Sequence, residues 1–566
     1  MRTGEPTFQF SLRDRDAILG RMISETFDLI VIGGGITGAG VARDAASRGM
    51  KVALIEARDF AEGTSSRSSK LIHGGIRYLE NLEFGLVFEA LSERRLLFEI
   101  APHLVHPLRF VLPLYKGDRI GMFKMGLGMW LYDALSLFEA PELHERLSGE
   151  ETLERLPLLK KNGLLGSYAY SDAYMDDARM VIETLRSAVS LGAACINYVS
   201  AEDAEMVEGK VTSVGCKDVE SGRRFRIRGR HVISTVGPWT DLVAPRLVGE
   251  WANILRPSKG VHLTFDRNRF PLKQAVVMAA DQQKRIVFGI PRHEMVIVGT
   301  TDTDYPGDPG DVTTTAEDVE YLLKVTGEYF PEAKITAKDI MATYAGVRPL
   351  VRDEAETESK TSREHLILKD PRNVTFVAGG KYTTYRLMAE QAVAAALESF
   401  PIELQVRFAR NDTKCPLNPL ATTETMAEAM RLAPAWAKEF GLNLADVETL
   451  VGRHGLETMK LLEKDMRRSP DLRDLSSEER LWVMEARHAI QTSMCFHLTD
   501  FYARRTHLFL ARLDHGLIHT NLLSSVFAAE LGWSDSKRQE EEEALRIYVR
   551  RELGWKQDYG LSSAVS

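Results

Sequence analysis

No feature limits the fold of this chain more than residues 28–40, DLIVIGGGITGAG, and the apolar run behind them that ends in Glu56. Residues 27–32 are a short β-branched apolar run, 33–38 a glycine turn, 39–48 a helical stretch and 51–56 a second strand, together a βαβ unit. Gly33, Gly35 and Gly38 stand where a Cβ would obstruct the tight turn, the approach of a pyrophosphate, and the packing of helix on strand. The helix N-terminus offers unpaired N–H groups and partial positive charge to phosphate, and Glu56 is placed to accept hydrogen bonds from a ribose 2′-hydroxyl. A bare GxGxxG also serves as an ordinary tight turn; strand, turn, helix, strand and terminal acid in succession predict dinucleotide binding.

At 566 residues the chain is too long for one core, and about two to four domains are expected. Its 72 Lys+Arg against 80 Asp+Glu give a net charge of −8, which offers nucleic acid no general attraction, so no nucleic-acid partner is expected. Cys195, Cys216, Cys415 and Cys495 are scattered without CxxC pairing, so neither a metal site nor a disulfide framework is read, and a reduced cytoplasmic setting is expected. The first residues lack the apolar core of a secretory signal. No uncharged apolar stretch reaches the roughly 18 residues that span a bilayer.

Beyond the βαβ unit, residues 220–236 suggest a returning strand pair, and RIVFGIPRHEMVIVGT at 285–300 a hairpin about a polar turn. Residues 411–423 are proline-bearing and polar and read as a linker. From about Thr422 the texture turns helical: Ser476 with Glu479 forms a capping box, residues 534–555 form another helix, and the acidic run at 540–543 reads as its solvated start. Residues 120–137, rich in Met, Gly and aromatics, read as a helix covering the second domain, with an interfacial amphipathic element as the alternative.

The second informative segment is VTFVAGGKYTTYR at 374–386: strand, glycine pair, then a helix beginning near Thr383. Such a terminus stabilises negative charge on the pyrimidine edge of a reduced flavin, a service a nicotinamide does not need; a packed strand-to-helix turn has the same appearance. Three cations each follow a glycine-bearing turn: Arg77 in HGGIRY, Arg348 in AGVRPL and Lys381 in AGGKYT. Any one is an ordinary surface side chain, but three with the same local grammar predict an anionic substrate over a flat ligand. His73 offers an imidazole to take an alcohol proton as hydride leaves the neighbouring carbon; His262 has the same chemistry, and the sequence does not choose between them.

These residues carry a resemblance. The segments at 28–49, 62–80 (EGTSSRSSKLIHGGIRYLE), 174–179 (YMDDAR), 235–239 (TVGPW), 298–305 (VGTTDTDY), 344–350 (YAGVRPL) and 378–386 (AGGKYTTYR) resemble, in this order, the FAD-dependent, aerobic-type glycerol-3-phosphate dehydrogenase family. The likeness covers about residues 24–400; the helical tail, with FYARRT at 501–506, is similar more loosely. It implies an α/β fold: a glutathione-reductase-like FAD-binding Rossmann domain at 24–85, 151–240 and 341–410, an inserted α+β substrate domain at 86–150 and 241–340, and an all-helical C-terminal domain at 411–566. It implies FAD as cofactor, oxidation of sn-glycerol 3-phosphate to dihydroxyacetone phosphate with hydride transfer to flavin N5, and delivery of electrons to a membrane quinone. Location follows: cytoplasmic, peripheral on the inner face of the cytoplasmic membrane, with the membrane surface and a second copy in a homodimer among the expected partners.

Position by position, His73, Arg348 and Lys381 are carried over as catalytic, and Arg77, Tyr78, His262, Arg348 and Lys381 as substrate-binding. Ser65, Ser66, Lys70, Leu71, Gly237, Gly380 and Thr383 join Gly33, Gly35, Gly38 and Glu56 along the cofactor. The alternatives are a glycerol-3-phosphate oxidase using O2, which shares EGTSSRS but usually carries a long charged insert where this chain has only residues 351–378, and a flavin-containing sensor without turnover. A nicotinamide enzyme would leave the AGGKYTT segment without a task.

Overall fold

The apolar run Thr26–Ile32 becomes the centre of a largely parallel sheet because both its faces are covered, and its inner residues from Leu29 to Val31 are fully buried. In the computed structural model, which describes residues 10–80, 82–280, 285–352, 365–468 and 474–561, the strand order across this sheet is His365–Asp370, Val374–Gly379, Arg224–Ser234, Thr26–Ile32, Val52–Ile55, Ala194–Ile196. The side chains of Arg77 and of residues 465–468 lie outside that description. Thr26–Ile32 pairs in parallel with Arg224–Ser234 on one side and Val52–Ile55 on the other, so the sheet's topological switch lies at its C-terminal end, where ligands bind in open α/β sheets. Helices Ile36–Ser47, Asp177–Ser190 and Tyr385–Leu397 seal it with small side chains: a Cβ at Gly40 would stand 3.0 Å from Ala389 and Tyr385, closer than most such contacts. The residues expected as a strand pair at 220–236 hold one strand, Arg224–Ser234; its antiparallel partner, Lys210–Asp218, precedes it, and the turn falls between them.

A second, mostly antiparallel sheet faces the first in the order Thr303–Asp304, Leu255–Asp266, Met295–Gly299, Arg285–Arg292, Ala275–Ala280, Val105–Tyr115, Leu164–Met175, Leu71–Ile72. Ile340–Val351 adds to Leu255–Asp266, and Glu145–Ser148 to Leu164–Met175. The hairpin expected at 285–300 is present, with register Ile290 opposite Ile297. Leu71–Ile72, Leu164–Met175 and Ile340–Val351, allotted from the sequence to the cofactor domain, are strands of this second sheet. A strand's residues show that it is half-buried and extended; which sheet takes it depends on partners far away in the chain.

The C-terminal helices have their own core around Val447, Trp482, Phe501 and Phe527. Helix Ser477–Thr492 opens on the Ser476/Glu479 capping box, and Asp535–Glu552 on Ser534. The acidic run departs from the solvated face read for it: Glu541 is buried and bonded to His497 Nδ1 at 2.7 Å. Arg504 and Arg505, from FYARRT, dock these helices on the cofactor domain through Asp59, at 2.5 and 2.8 Å, inside a buried environment. Helix Met122–Leu135 covers the second sheet as expected, burying Met129 and Tyr132 there, but its aromatic stripe lies elsewhere. Phe123, Leu127 and Trp130 share one face and are 81%, 57% and 60% exposed, so the aromatic stripe faces away from the core. None of the helices among the described residues is long and apolar enough to cross a membrane.

Candidate active site

A cavity of about 760 Å3 runs from the first glycine turn to the second, large for a small-molecule site and lined by both sheets. At its first end Gly33 holds φ +108°, and a Cβ there would stand 2.7 Å from the Thr235 carbonyl oxygen. At Gly38, inside the first turn of helix Ile36–Ser47, a Cβ would lie 1.9 Å from the Gly33 oxygen, so this glycine sets strand-to-helix contact and does not itself reach the cavity. Ser65 Oγ accepts from the Ile36 N–H at 3.0 Å and so caps the helix start. Glu56 accepts from the Gly34 N–H at 2.6 Å and the Arg58 N–H at 2.9 Å. Burial raises the pKa of Glu56 although these N–H groups oppose the rise. Gly33, Gly35, Glu56, Ser65 and Gly237 line this end, and they fit a dinucleotide: a bare turn at a helix N-terminus and a carboxylate at the tip of the neighbouring strand.

At the other end Gly379 and Gly380 both hold positive φ, +72° and +87°, turning strand Val374–Gly379 sharply into the Tyr382–Thr384 turn and helix Tyr385–Leu397. Lys381 emerges from this bend with its ammonium 3.8 Å from the centre of the Tyr78 ring. Arg348, on Ile340–Val351, points its guanidinium at Asp302 Oδ1 (3.0 Å) and Thr300 Oγ1 (3.0 Å), and Asp302 also accepts from Ser258 Oγ at 2.5 Å. Gly260 makes room for it, since a Cβ there would meet Arg348 Nη2 at 2.5 Å.

His73 is held by its backbone: its N–H donates to Thr383 Oγ1 (3.2 Å), whose hydroxyl lies 3.3 Å from the His73 carbonyl oxygen. His262 stacks on Tyr344 at 4.7 Å and shares a 2.8 Å hydrogen bond with Ser69 Oγ through Nε2. Burial first, then Arg348 and Lys70, push its pKa well below the usual histidine range. Leu71, His73, Tyr78, His262, Arg348, Gly380 and Lys381 all line the one cavity.

Other expected residues stand elsewhere. Lys70 does not reach the cavity wall; its ammonium is buried against Asp177 Oδ1 at 2.5 Å and Ser66 O at 3.1 Å, because a buried cation needs a close anion. Ser66 contributes that carbonyl and does not line the cavity, and Thr383 stands behind His73 as its clamp. The Arg77 side chain lies outside the described residues.

Sequence reasoning missed the support beneath the histidine turn. Asp172, buried on Leu164–Met175, pairs with Arg94 at 2.5 Å, accepts from the Tyr132 hydroxyl at 2.9 Å and from the Gly74 N–H at 3.2 Å. The Tyr132 oxygen also accepts from Gly74 N–H at 3.1 Å. The available signal was a lone acid in an otherwise apolar and aromatic strand, YAYSDAYM, where an unpaired charge would be costly. Asp302 and Asp177 lay within motifs noticed for other reasons.

Known proteins resemble this chain over most of its length. A family profile described as FAD dependent oxidoreductase matches residues 28–395, and one described as C-terminal domain of alpha-glycerophosphate oxidase matches residues 424–538. The chain is 38% identical to the aerobic glycerol-3-phosphate dehydrogenase of Bacillus subtilis over 88% of its own length and 90% of the relative's. It is 33% identical to the Staphylococcus epidermidis protein of the same name, over 94% and 96% of the two chains. Among solved structures, the glycerol-3-phosphate dehydrogenase of Bacillus halodurans complexed with FAD superposes with a TM-score of 0.78 at 29% identity, covering 96% of this chain and 98% of that one.

Proposed function

We propose, from the premise that this chain belongs to the aerobic glycerol-3-phosphate dehydrogenase family of FAD dependent oxidoreductases, that it oxidises sn-glycerol 3-phosphate to dihydroxyacetone phosphate. One observation carries the reading: Arg348 and Lys381, from separate elements, line the same cavity as His73 and the glycine pair that precedes Lys381. Gly33, Gly35, Glu56, Ser65 and Gly237 would hold the dinucleotide portion of FAD, and Gly380 the neighbourhood of its ring. Bound there, FAD would supply the two-electron acceptor for the hydride that leaves the substrate's C2.

The chain's own groups do the rest. Arg348 and Lys381 offset the two negative charges of the phosphate, Arg348 with a fork kept in orientation by Asp302 and Thr300, Lys381 as a point charge steadied on Tyr78. His73 takes the hydroxyl proton as the C2–H bond breaks. His262 is the weaker candidate, because Nε2 is engaged by Ser69 and Nδ1 is buried without a hydrogen-bond partner. The apolar walls, Phe288 and Tyr170 among them, exclude water from the reacting carbon.

The acceptor we infer is a membrane quinone, reached by docking on the lipid surface through helix Met122–Leu135, whose exposed Phe123, Leu127 and Trp130 form an apolar face with Lys124 beside it. A second reading, O2 as acceptor, is favoured by the similarity of residues 424–538 to the C-terminal domain of alpha-glycerophosphate oxidase. Anaerobic addition of glycerol 3-phosphate to FAD-loaded protein is expected to bleach the flavin band near about 450 nm, whereas glycerol is not. Failure to bleach would sink the substrate assignment, and turnover with a soluble quinone analogue against turnover with O2 distinguishes the acceptors.

A further inference from the structure

Away from the redox cavity, a group of side chains meets at the seam between the cofactor domain and the C-terminal helices. His454 ends helix Leu444–His454, Glu457 begins Glu457–Arg468 and His488 lies on Ser477–Thr492; one ligand atom from each lies within 4.8 Å of the others. His103, from the segment leading into strand Val105–Tyr115, is 3% exposed, and neither ring nitrogen has a hydrogen-bond partner among the described residues. Its neighbour Leu104 accepts from the Asp176 N–H at 3.1 Å, which keeps it on the cofactor side of the seam. The His488 ring makes no hydrogen bond among the described residues either, and packs edge-on against His454 with ring centres 4.5 Å apart.

Unpartnered imidazoles are expensive in a protein interior, where buried polar groups are almost always satisfied by protein, water or an ion. His454 also has the outer partner that metal-bound histidines usually have. Its Nε2 is 3.0 Å from Glu485 Oε1, leaving Nδ1 as the ligand atom, with Arg179 Nη2 at 3.5 Å, the outer limit of a hydrogen bond. Glu457 is oriented by Arg186 at 2.8 Å, and Arg186 in turn by Glu183 at 2.7 Å.

We propose that His454, Glu457 and His488 form a zinc site that pins three C-terminal helices together at this seam. Two imidazole nitrogens and one carboxylate, with water in the fourth position, suit zinc; calcium and magnesium prefer all-oxygen sets, and the group holds no thiolate. Tetrahedral zinc ligands are about 3.4 Å apart, so the donors close by rotamer adjustment around the ion. All three ligands come from C-terminal helices, and Arg186, on the cofactor-domain helix Asp177–Ser190, carries the contact across the seam through Glu457. Glu457, with its side chain 12% exposed, marks the route of entry from solvent.

The test titrates zinc chloride into chelator-treated, FAD-loaded full-length protein, with calorimetry and thermal unfolding as readouts. One saturable equivalent and a raised Tm are expected, and cobalt in its place is expected to give the visible bands of a four-coordinate site. His488→Asn and Glu457→Gln are expected to weaken binding by more than about tenfold. Absence of saturable uptake by the unaltered protein would overturn the site, whether or not the variants fold. So would equal uptake by well-folded His488→Asn protein, which would mean that zinc binds elsewhere.

Discussion

The Lys381 ammonium stands 3.8 Å from the centre of the Tyr78 ring, joining the second glycine turn to the one that carries His73. The ring face steadies the cation at the cavity wall, where Lys381 stands among the lining residues. Lys381→Met is therefore expected to lower kcat/KM for glycerol 3-phosphate by about 1.5–3 kcal/mol, roughly ten- to a hundred-fold, at unchanged FAD content. Tyr78→Phe keeps the ring face and is expected to lose far less. Equal losses in the two would show that the phenol hydroxyl, and not the cation, carries the effect.

Arg348 is held at 3.0 Å by Asp302. Arg348→Ala is expected to raise KM more than it lowers kcat, with a total loss of about 1.5–3 kcal/mol or more, as for a charge-assisted bond to phosphate. Steady-state kinetics decides it: KM and kcat both unchanged would remove Arg348 from the substrate site.

The histidine turn rests on Tyr132 and Asp172. Tyr132→Phe removes one acceptor from the Gly74 N–H while Asp172 remains, so a modest loss of about 1 kcal/mol is expected, roughly fivefold in kcat. Asp172→Asn leaves the buried Arg94 without its counter-charge and is expected to cost about 3–5 kcal/mol of stability. Thermal unfolding alongside turnover separates the two, and a Tyr132→Phe protein with the larger Tm loss contradicts the arrangement.

His497 lies between Glu220 (3.1 Å) and Glu541 (2.7 Å), tying the cofactor domain's edge to helix Asp535–Glu552. Burial alone would push this imidazole down, but its bonds to the two carboxylates hold its pKa up at about 10. A pKa raised above the unfolded value means stability that is complete below about pH 6.5 and is lost as pH rises through about 10. Unfolding free energy is expected to fall by a few kcal/mol at most across that window, and the fall is expected to flatten in His497→Gln. Denaturant titrations at several pH values check the slope; an equally steep slope in the variant assigns it to other groups.

Phe123 and Trp130 share the outward face of helix Met122–Leu135. If this face docks on lipid, Phe123→Ser with Trp130→Ser is expected to reduce cosedimentation with phospholipid vesicles and to leave anaerobic flavin bleaching intact. Undiminished vesicle binding would move the docking surface elsewhere.

The glycine turn at Gly33–Gly38, the diglycine bend before Lys381, the Ser476/Glu479 cap and the hairpin about His293 were legible because each is local. A positive φ, a Cβ with nowhere to go or a capped first turn is a property of a few consecutive residues, and composition reports it directly. The tertiary structure decided what depends on distant partners. It gave Leu164–Met175 and Ile340–Val351 to the second sheet, set Lys70 against Asp177 and away from the cavity, placed Asp172 beneath Gly74, and turned the aromatic stripe of residues 123–130 outward. The reason is physical: a buried charge or a strand edge is satisfied by whatever the fold brings to it, and between Lys70 and Asp177 or Arg94 and Asp172 no sequence spacing records the match.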